Sequence, residues 1–363
     1  MPDVQRPVDR ELSAGRGAGL AFAVAFALTV VMAAPVILTP GERIFGAGDI
    51  LSRPDPNRDA LVVIGQFRTG QVPSPYLQPV TDLPGQVLTS ILDPMIAYNI
   101  VVLLTFPLST LAAYLLACHL SLPHFGAMVA GLAYAFLPFH VIQAGGHPHI
   151  AQTQWLPLYL LALWRFVDCP GPGRAAWVLI AAALAALADF YTGFIIAVIS
   201  PVAVLAAGWV GPRRSGGPRW RNIFLTLLGL AVVLAIGYAA VRSLLPDATS
   251  IAMERLDLFT WSAKWWSYLI PPADHPLLGR AVREFWAARG VGADQLEHQQ
   301  VSLGLALVAL ALIPLWRFVR GERDNAAIRM APALAMLGAA ALVCSLSPER
   351  RVVLLRTVRR SPV

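Results

Sequence analysis

Charged residues are scarce in this sequence: of its 363 residues 13% are charged, whereas an ordinary soluble domain has about 25%. Apolar residues make up 57% of the chain, and its mean hydropathy is +0.62. A water-soluble fold could not bury that much apolar surface, and neither a disordered chain nor a disulfide scaffold has this composition. Lipid is therefore the expected solvent for most of the chain.

Lysine and cysteine are also rare. Lys264 is the only lysine, and arginines make up the rest of the 28 basic residues. The net charge is +7, but the arginines lie between apolar runs, which is typical of anchoring at a membrane surface rather than of nucleic-acid binding. Cys118, Cys169 and Cys344 are scattered without metal or redox spacing. We therefore expect membrane lipids as partners and no nucleic acid.

Nine apolar runs are candidates for transmembrane helices, because a hydrocarbon layer of about 30 Å needs roughly 20 helical residues. They cover residues 17–39, 94–118, 125–140, 153–167, 175–188, 191–210, 222–246, 301–316 and 330–346. The first run is longer than the apolar stretch of a secretory signal, usually about 7–15 residues, so we expect a retained anchor. The sequence predicts an all-α integral membrane protein, a polytopic helical bundle of about nine transmembrane segments.

Positive residues set the predicted orientation. With the N-terminus inside, the two long outer loops, 40–86 and 247–300, carry 9 Lys and Arg residues in 101 positions. The inner segments 1–16, 119–124, 165–174, 211–221 and 317–329 carry 13 in 56. Residues 1–346 are expected to form a single polytopic domain in the plasma (inner) membrane. The basic tail 347–363 would lie outside, so either the ninth segment does not cross or the C-terminus is truncated.

Rare acidic and histidine side chains fall on the predicted outer side of the bundle. They are Asp49, Asp55, Asp59, His147, His149, Asp189, Asp257, Asp274, His275, Glu297 and His298. A cleft in which several polar groups converge is the usual place of a binding or active site. These residues are therefore the candidates for one.

Each candidate also has a structural interpretation. Asp49, in FGAGDI, and Asp189, in LADFYTGF, are both suited to cap a following helix by accepting a backbone N–H. His147 and His149, in HPH, supply two metal ligands without a third nearby.

Aromatic and basic residues near the second long loop leave similar alternatives. Trp261, Trp265, Trp266 and Tyr268 suit an interfacial belt or a surface that stacks on sugars. Arg242 lies near the outer end of the seventh run, where its guanidinium either reaches the lipid headgroups or faces a bound phosphate.

Several motifs together resemble a known family. The stretch from Ala97 to Arg165 contains AYNIVVLLTFPLSTLAAYLLA and then GLAYAFLPFHVIQAGGHPHIAQTQWLPLYLLALWR. Further motifs are GD at Asp49, DFY at Asp189, LDLFTWSAKWWSYLIPPADHPLLG and QQVSLGLALVALAL. Over roughly residues 40–346 the chain resembles bacterial multi-spanning membrane proteins of the glycosyltransferase C superfamily (GT-C), the type that uses polyprenyl-phosphate sugars in cell-envelope synthesis.

The resemblance implies transfer of a sugar from a polyprenyl-phosphate donor to a glycan, lipid or protein acceptor on the extracytoplasmic face. Asp49 is implied as the general base, and Asp189 as a second acid that orients the acceptor or a metal ion. Mg²⁺ or Mn²⁺ would suit carboxylates and phosphate, although no sequence feature requires either. The candidate substrate-binding residues are His147, His149, Gln152, Tyr191, Arg242, Asp257, Lys264 and His275.

Two other interpretations stay open. A transporter or flippase of a lipid-linked saccharide would use the same apolar groove and outer polar groups. Transporters more often have ionisable residues at mid-membrane or broken helices in paired repeats, whereas these span interiors are nearly free of charge. A truncated, inactive relative is the second interpretation, because family members usually continue with several more helices.

Overall fold

The computed structural model describes residues 7–46, 58–70, 78–210, 219–244, 263–273, 275–290, 299–323 and 325–345, and these contain helices and no β-strand. The helices are α1 (Pro7–Met32), α2 (Ala34–Leu38), α3 (Arg58–Thr69), α4 (Pro79–Thr89), α5 (Pro94–His119), α6 (His124–Ala135), α7 (Pro138–Gly146), α8 (Trp155–Asp168), α9 (Pro172–Ala188), α10 (Phe190–Val210), α11 (Arg219–Leu244), α12 (Gly279–Ala287), α13 (Leu305–Val319) and α14 (Ala326–Ser345). A short 3₁₀ turn covers Trp265–Tyr268. The all-helical prediction is confirmed.

Several helices are long and apolar enough to cross a membrane. Within the described ranges these are Gly15–Met32 of α1, Pro94–His119, Phe190–Ala207 of α10 and Ile328–Ser345 of α14. The pair α6 and α7 passes the same test jointly, which makes five if this bent pair is one span. The membrane character of the chain is therefore confirmed at the level of four to five candidate spans.

The other predicted runs coincide with helices whose apolar parts are shorter. Helix α8 has 14 residues, α9 has 17 and α13 has 15, and the apolar part of α11 runs from Trp220 to Val233. At about 1.5 Å per residue, α9 measures roughly 25 Å, less than a hydrocarbon layer of about 30 Å. Nine crossings therefore stay a prediction.

Two predicted continuous spans are divided at prolines. The run 125–140 breaks between α6 and α7, whose axes are bent by 43°. Proline pushes the preceding residue out of the helical region, and Leu137, before Pro138, has φ −61° and ψ 145°. The run 17–39 is interrupted at Ala33, shortly before Pro35.

The first long outer segment contains helices. Within the predicted loop 40–86 the chain forms α3 and the first part of α4, and both pack against α5. The ring of Phe67 on α3 occupies the space that a side chain at Gly85 on α4 would need. The described part of this segment is therefore a packed helical hairpin.

Helix α5 lies at the centre of the packing and contacts α1, α6 and α8. Gly131 permits the close approach of α6, because a Cβ atom there would lie 2.6 Å from the carbonyl oxygen of Thr110. A second cluster joins α8, α9 and α10, where Trp164 Nε1 donates to the carbonyl oxygen of Ala203 at 2.9 Å. Helix α14 packs on α10 and extends this layer.

Candidate functional site

A buried acid and a histidine from distant parts of the chain form a pair at one end of the bundle. Asp82 lies in the first turn of α4 and is 1% exposed. Its Oδ1 lies 3.0 Å from Nε2 of His149, and its Oδ2 accepts the backbone N–H of Gln78 at 2.9 Å. Because a buried carboxylate needs hydrogen-bond donors, these two contacts together fix the orientation of the His149 ring.

The neighbouring residue on α4 joins this pair to the turn between α9 and α10. Thr81 donates its hydroxyl hydrogen to the carbonyl oxygen of Ala188 at 3.2 Å, and Ala188 precedes Asp189. We call Thr81, Asp82, His149 and Asp189 the α4 cluster. It brings two predicted site residues, His149 and Asp189, to the same side of the bundle.

Asp189 is the N-cap of α10. It is 1% exposed, its Oδ1 accepts the N–H of Tyr191 at 3.3 Å, and its Oδ2 accepts the N–H and the hydroxyl of Thr192, each at 2.8 Å. The capping interpretation of the sequence is thus realised. The catalytic role predicted for Asp189 is a separate matter and stays a prediction.

A buried polar network holds the loop that carries His149. His140 Nε2 lies 2.9 Å from the Thr105 hydroxyl of α5, and Nδ1 lies 2.6 Å from the carbonyl oxygen of Ala135. Thr153, at the far end of the loop, bonds to Ser109 at 2.8 Å through its hydroxyl. Thr105 and Ser109 of α5 thus hold α7, which precedes the loop, and Thr153 at its far end.

Hydrogen bonds hold the chain that follows α2 against α5. Asn99 on α5 accepts the N–H of Phe45 at 3.2 Å and donates to the carbonyl oxygens of Pro40 at 3.0 Å and Arg43 at 2.8 Å. Gly46, with φ +75°, then touches Gly145 near the end of α7, where a Cβ atom at position 46 would lie 2.5 Å from Gly145 Cα. Both ends of α7 are therefore in contact with fixed parts of the bundle.

Three amide side chains, on segments that adjoin Asp82 or His149 in the chain, have buried oxygens that make no hydrogen bond within the described residues. They belong to Gln78 before α4, Gln143 one turn before His147, and Gln154 before α8. Gln143 and Gln154 are 3% and 4% exposed. A buried acceptor without a donor is costly, and a ligand that supplies hydroxyl groups would satisfy it.

The remaining predicted residues of this region lie nearby in the chain. His147 ends α7, and its N–H donates to the Gln143 carbonyl oxygen at 2.7 Å. Gln152 is buried and accepts from Gln154 Nε2 at 2.6 Å. Tyr191 is half exposed at the start of α10, and its ring meets Phe190 edge to face.

Lys264 and His275 belong to a second group of contacts. The N–H of Lys264 donates to Ser267 Oγ at 3.1 Å, and Ser267 donates to Gln299 at 2.9 Å. His275 Nδ1 accepts the N–H groups of Leu277 and Leu278 at 3.2 and 3.1 Å, so this nitrogen stabilises the turn before α12.

Tyr268 ties the second group to the end of α14. Its hydroxyl donates to Ser345 Oγ at 2.5 Å. Burial raises the pKa of the Tyr268 phenol, and the hydrogen bond to Ser345 lowers it in part. Tyr268 therefore acts as a neutral donor at this junction.

Several predicted site residues lie outside the described parts of the chain. They are Asp49, Asp55, Asp257, Asp274, Glu297, His298 and the side chain of Arg242, whose backbone belongs to α11. Across the described residues, no group of three or more His, Cys, Asp or Glu side chains is placed to hold a metal ion. The Asp189 oxygens already accept three donors, so we derive no step through Mg²⁺ or Mn²⁺.

Asp82 is the residue that sequence analysis missed. Its sequence, PVTDLPGQ, has the form of an ordinary helix start, and an acid in a first turn is common there. The signal that distinguishes it is burial together with the contact to His149, which is 67 residues away. Local sequence patterns carry no information about such a contact.

Comparison with known proteins gives one family. The family described as a domain of unknown function, DUF6311, matches residues 78–356, which is most of the chain and includes α4 through α14. The α4 cluster lies within the matched part. Neither the curated proteins nor the solved structures contain a match.

Proposed function

The chain belongs to the DUF6311 family, and we propose that it is a membrane glycosyltransferase with a GT-C-like fold. It transfers a sugar from a polyprenyl-phosphate donor to an acceptor on the extracytoplasmic face of the plasma membrane. The observation that carries the proposal is the buried Asp82–His149 pair beside the Asp189 turn.

The proposed topology has nine crossings with a cytoplasmic N-terminus. In it α8, α9, α11 and α13 cross as short spans next to the longer ones, and a local thinning of the bilayer compensates for their length. The chain enters α8 and leaves α9 on the side of the α4 cluster. The cluster then lies at the outer lipid–water boundary, where a lipid-linked donor and a water-soluble acceptor can meet.

The pair supplies a base for the acceptor. In the tautomer whose Nε2–H donates to Asp82 Oδ1, Nδ1 of His149 carries a lone pair, which can take the proton of an acceptor hydroxyl. The acceptor oxygen then bonds to the anomeric carbon, and the bond from this carbon to the phosphate oxygen breaks. Asp49, predicted as the base from sequence, is the competing candidate for the same proton.

In this proposal the buried amide oxygens recognise the sugar by accepting hydrogen bonds from its hydroxyl groups. Sugar hydroxyl groups are donors, and the oxygens of Gln78, Gln143 and Gln154, on segments that adjoin Asp82 or His149 in the chain, are buried acceptors. Such a set rejects a ligand without hydroxyl groups, because the acceptors would then stay buried and unpaired. This favours a saccharide over an apolar ligand.

The departing lipid phosphate needs cationic or N–H donors. The sequence candidates for this role are His147, His149, Arg242, Lys264 and His275, of which His149 acts here as the base. Asp257, Gln152 and Tyr191 remain the other predicted substrate-binding residues. Charge-assisted hydrogen bonds to phosphate are roughly twice as strong as neutral ones, so such donors favour the departure of the phosphate. The polyprenyl chain lies in a groove between apolar helices.

The test is sugar transfer by the purified full chain in proteoliposomes with a radiolabelled polyprenyl-phosphate sugar. His149→Gln should lower turnover by about 10²–10⁴, the usual contribution of a positioned acid or base. Near-normal turnover of Asp49→Asn would remove Asp49 from the role of base, and near-normal turnover of His149→Gln would remove His149. If no lipid-linked donor among a panel gives a transferred product, the proposal is wrong.

One observation favours the second candidate, a transporter or flippase of a lipid-linked saccharide. The 43° bend between α6 and α7 divides a span directly before the His147–His149 loop, and discontinuous helices are typical of transporter binding sites. The same proteoliposomes distinguish the two. A flippase moves the labelled lipid between leaflets with its sugar still attached, whereas a transferase releases the polyprenyl phosphate.

A further inference from the structure

A cavity of about 200 Å³ lies where α5 and α8 end and α9 begins. Its lining residues are His119, Arg165, Asp168, Cys169 and Arg174. One water needs about 10–15 Å³ of such volume, so the cavity has room for a group much larger than water. We call it the arginine cavity.

The arginine cavity and the α4 cluster lie at opposite ends of the same helix. Arg174 is in the first turn of α9, and Ala188, which Thr81 contacts, is its last residue. The 17 residues of α9 span roughly 25 Å, about 5 Å less than a hydrocarbon layer. In the proposed topology, in which α9 crosses as a short span, the α4 cluster lies at one membrane boundary and the arginine cavity at the other.

The lining of the cavity has more positively charged side chains than negatively charged ones. Asp168, the one carboxylate in the lining, has its Oδ2 3.3 Å from His119 Nε2, and two arginines face it. Arg174 gives one N–H to the Cys169 carbonyl oxygen at 2.5 Å and keeps its other donors. The Arg165 guanidinium makes no hydrogen bond or ion pair to any described residue, and it is exposed.

Two guanidinium groups at one cavity match a phosphate. Each presents a planar fork of N–H donors, and this geometry fits pairs of phosphate oxygens better than a single ammonium does. The cavity is also wide enough for the group, and its exposed rim residues leave it open.

We propose that the arginine cavity binds the phosphate group of an anionic membrane lipid. Trp177, three residues after Arg174, is 66% exposed, and Ile180, one turn further, is 46% exposed. An aromatic ring next to basic residues is typical of the headgroup boundary, and acyl chains can cover the apolar residues that follow. A free phosphate would gain the polar contacts but none of this apolar area.

Modification of Cys169 by N-ethylmaleimide tests the proposal, because this exposed thiol lines the cavity. The full chain in neutral detergent is treated with phosphatidylglycerol, phosphatidylcholine or inorganic phosphate at equal phosphorus concentration, and peptides are quantified by mass spectrometry. Phosphatidylglycerol should slow the modification of Cys169, and the other two should leave it unchanged. Cys344, exposed near the end of α14, is the reference thiol within the same molecule.

Variants with a matched control complete the test. Arg165→Gln with Arg174→Gln should require about tenfold or more phosphatidylglycerol for the same protection, since charge-assisted bonds of this kind contribute at least one decade of affinity. Arg165→Gln alone removes no intramolecular contact of the described structure and keeps the test valid if the double variant misfolds. Arg221→Gln, an exposed arginine near the start of α11, is the control for lost charge.

Three results would overturn the proposal. Equal protection by phosphatidylcholine would mean that bulk lipid covers the thiol, and equal protection by inorganic phosphate would mean a site for a soluble anion. Protection in the arginine variants as strong as in the Arg221→Gln control would mean that the guanidinium groups do not bind the lipid. The inference does not depend on the proposed transferase activity.

Discussion

One carboxylate oxygen of Asp82, Oδ1, lies 3.0 Å from His149 Nε2, and the other, Oδ2, accepts the N–H of Gln78. The acid therefore bonds to its own helix start and to a loop 67 residues further along the chain. Replacement of either member changes both the fold at α4 and the candidate site, so the variants must separate these two effects.

We expect Asp82→Asn to fold and to lose most activity. The amide keeps an oxygen that can accept one of the two donors, but it cannot stabilise a positive charge on the His149 ring. Asp82→Ala should also lower the free energy of unfolding by about 2 kcal/mol or more, because His149 and the Gln78 N–H lose their acceptor. Radiolabel transfer and thermal unfolding in detergent measure the two effects.

The control is Asp93→Asn, because Asp93 is also an acid at a helix start and caps α5 by accepting the Met95 N–H. If both Asp82 variants transfer sugar like this control, the pair has no part in activity.

Substitutions at Asp189 separate a cap from a catalytic acid. Asp189→Asn keeps an acceptor for the N–H groups of Tyr191 and Thr192, whereas Asp189→Ala removes it and should cost about 1 kcal/mol of stability. Thermal unfolding of the two variants measures this difference.

The activity of the same variants then decides the role of Asp189. If its function is capping alone, Asp189→Asn should keep nearly full turnover. A stable Asp189→Asn variant with turnover reduced by about 10²-fold or more would instead support the acid role predicted from sequence.

Asn99 should hold the chain that follows α2, residues 40–45, in its position against α5. Asn99→Leu removes three hydrogen bonds, to Pro40, Arg43 and Phe45. The buried N–H of Phe45, left without an acceptor, costs about 1–3 kcal/mol. We expect a lower unfolding temperature and faster proteolysis between Pro40 and Gly46. Asn99→Asp keeps the acceptor for Phe45 but turns an oxygen toward the carbonyl oxygens of Pro40 and Arg43, so it should also unfold at a lower temperature than the unsubstituted protein. Equal proteolysis of all three proteins would contradict this role of Asn99.

Reporter fusions on either side of α9 can test whether this helix crosses the membrane. With nine spans and a cytoplasmic N-terminus, alkaline phosphatase fused after residue 171 should be inactive, and phosphatase fused after residue 189 should be active. A green fluorescent reporter at the same positions should give the opposite pattern. If both fusions report the same side, α9 does not cross and the topology has fewer spans.

Helix positions were predictable from the sequence to within a few residues where the apolar run is long. The prediction 94–118 corresponds to Pro94–His119, and 191–210 corresponds to Phe190–Val210. Such runs are set by local composition, which the sequence displays directly. The break before Pro138 was not predicted, since it depends on one residue and not on hydropathy, whereas the helices continue through Pro107 and Pro201.

The site was less predictable than the fold. His149 and Asp189 were singled out because charged and imidazole groups are rare here, and the α4 cluster includes both. Asp82 was missed, since nothing local separates it from an ordinary first-turn acid. Its partner is reached only after α5, α6 and α7 have packed, and that arrangement is set by contacts such as Gly131 with Thr110.

The contact of Gly46 with Gly145 also restricts motion. With hydrogen atoms alone between the two backbones, neither segment can shift sideways without pushing the other. A displacement of the chain at Gly46 would therefore push against the end of α7, which leads directly into the HPH loop.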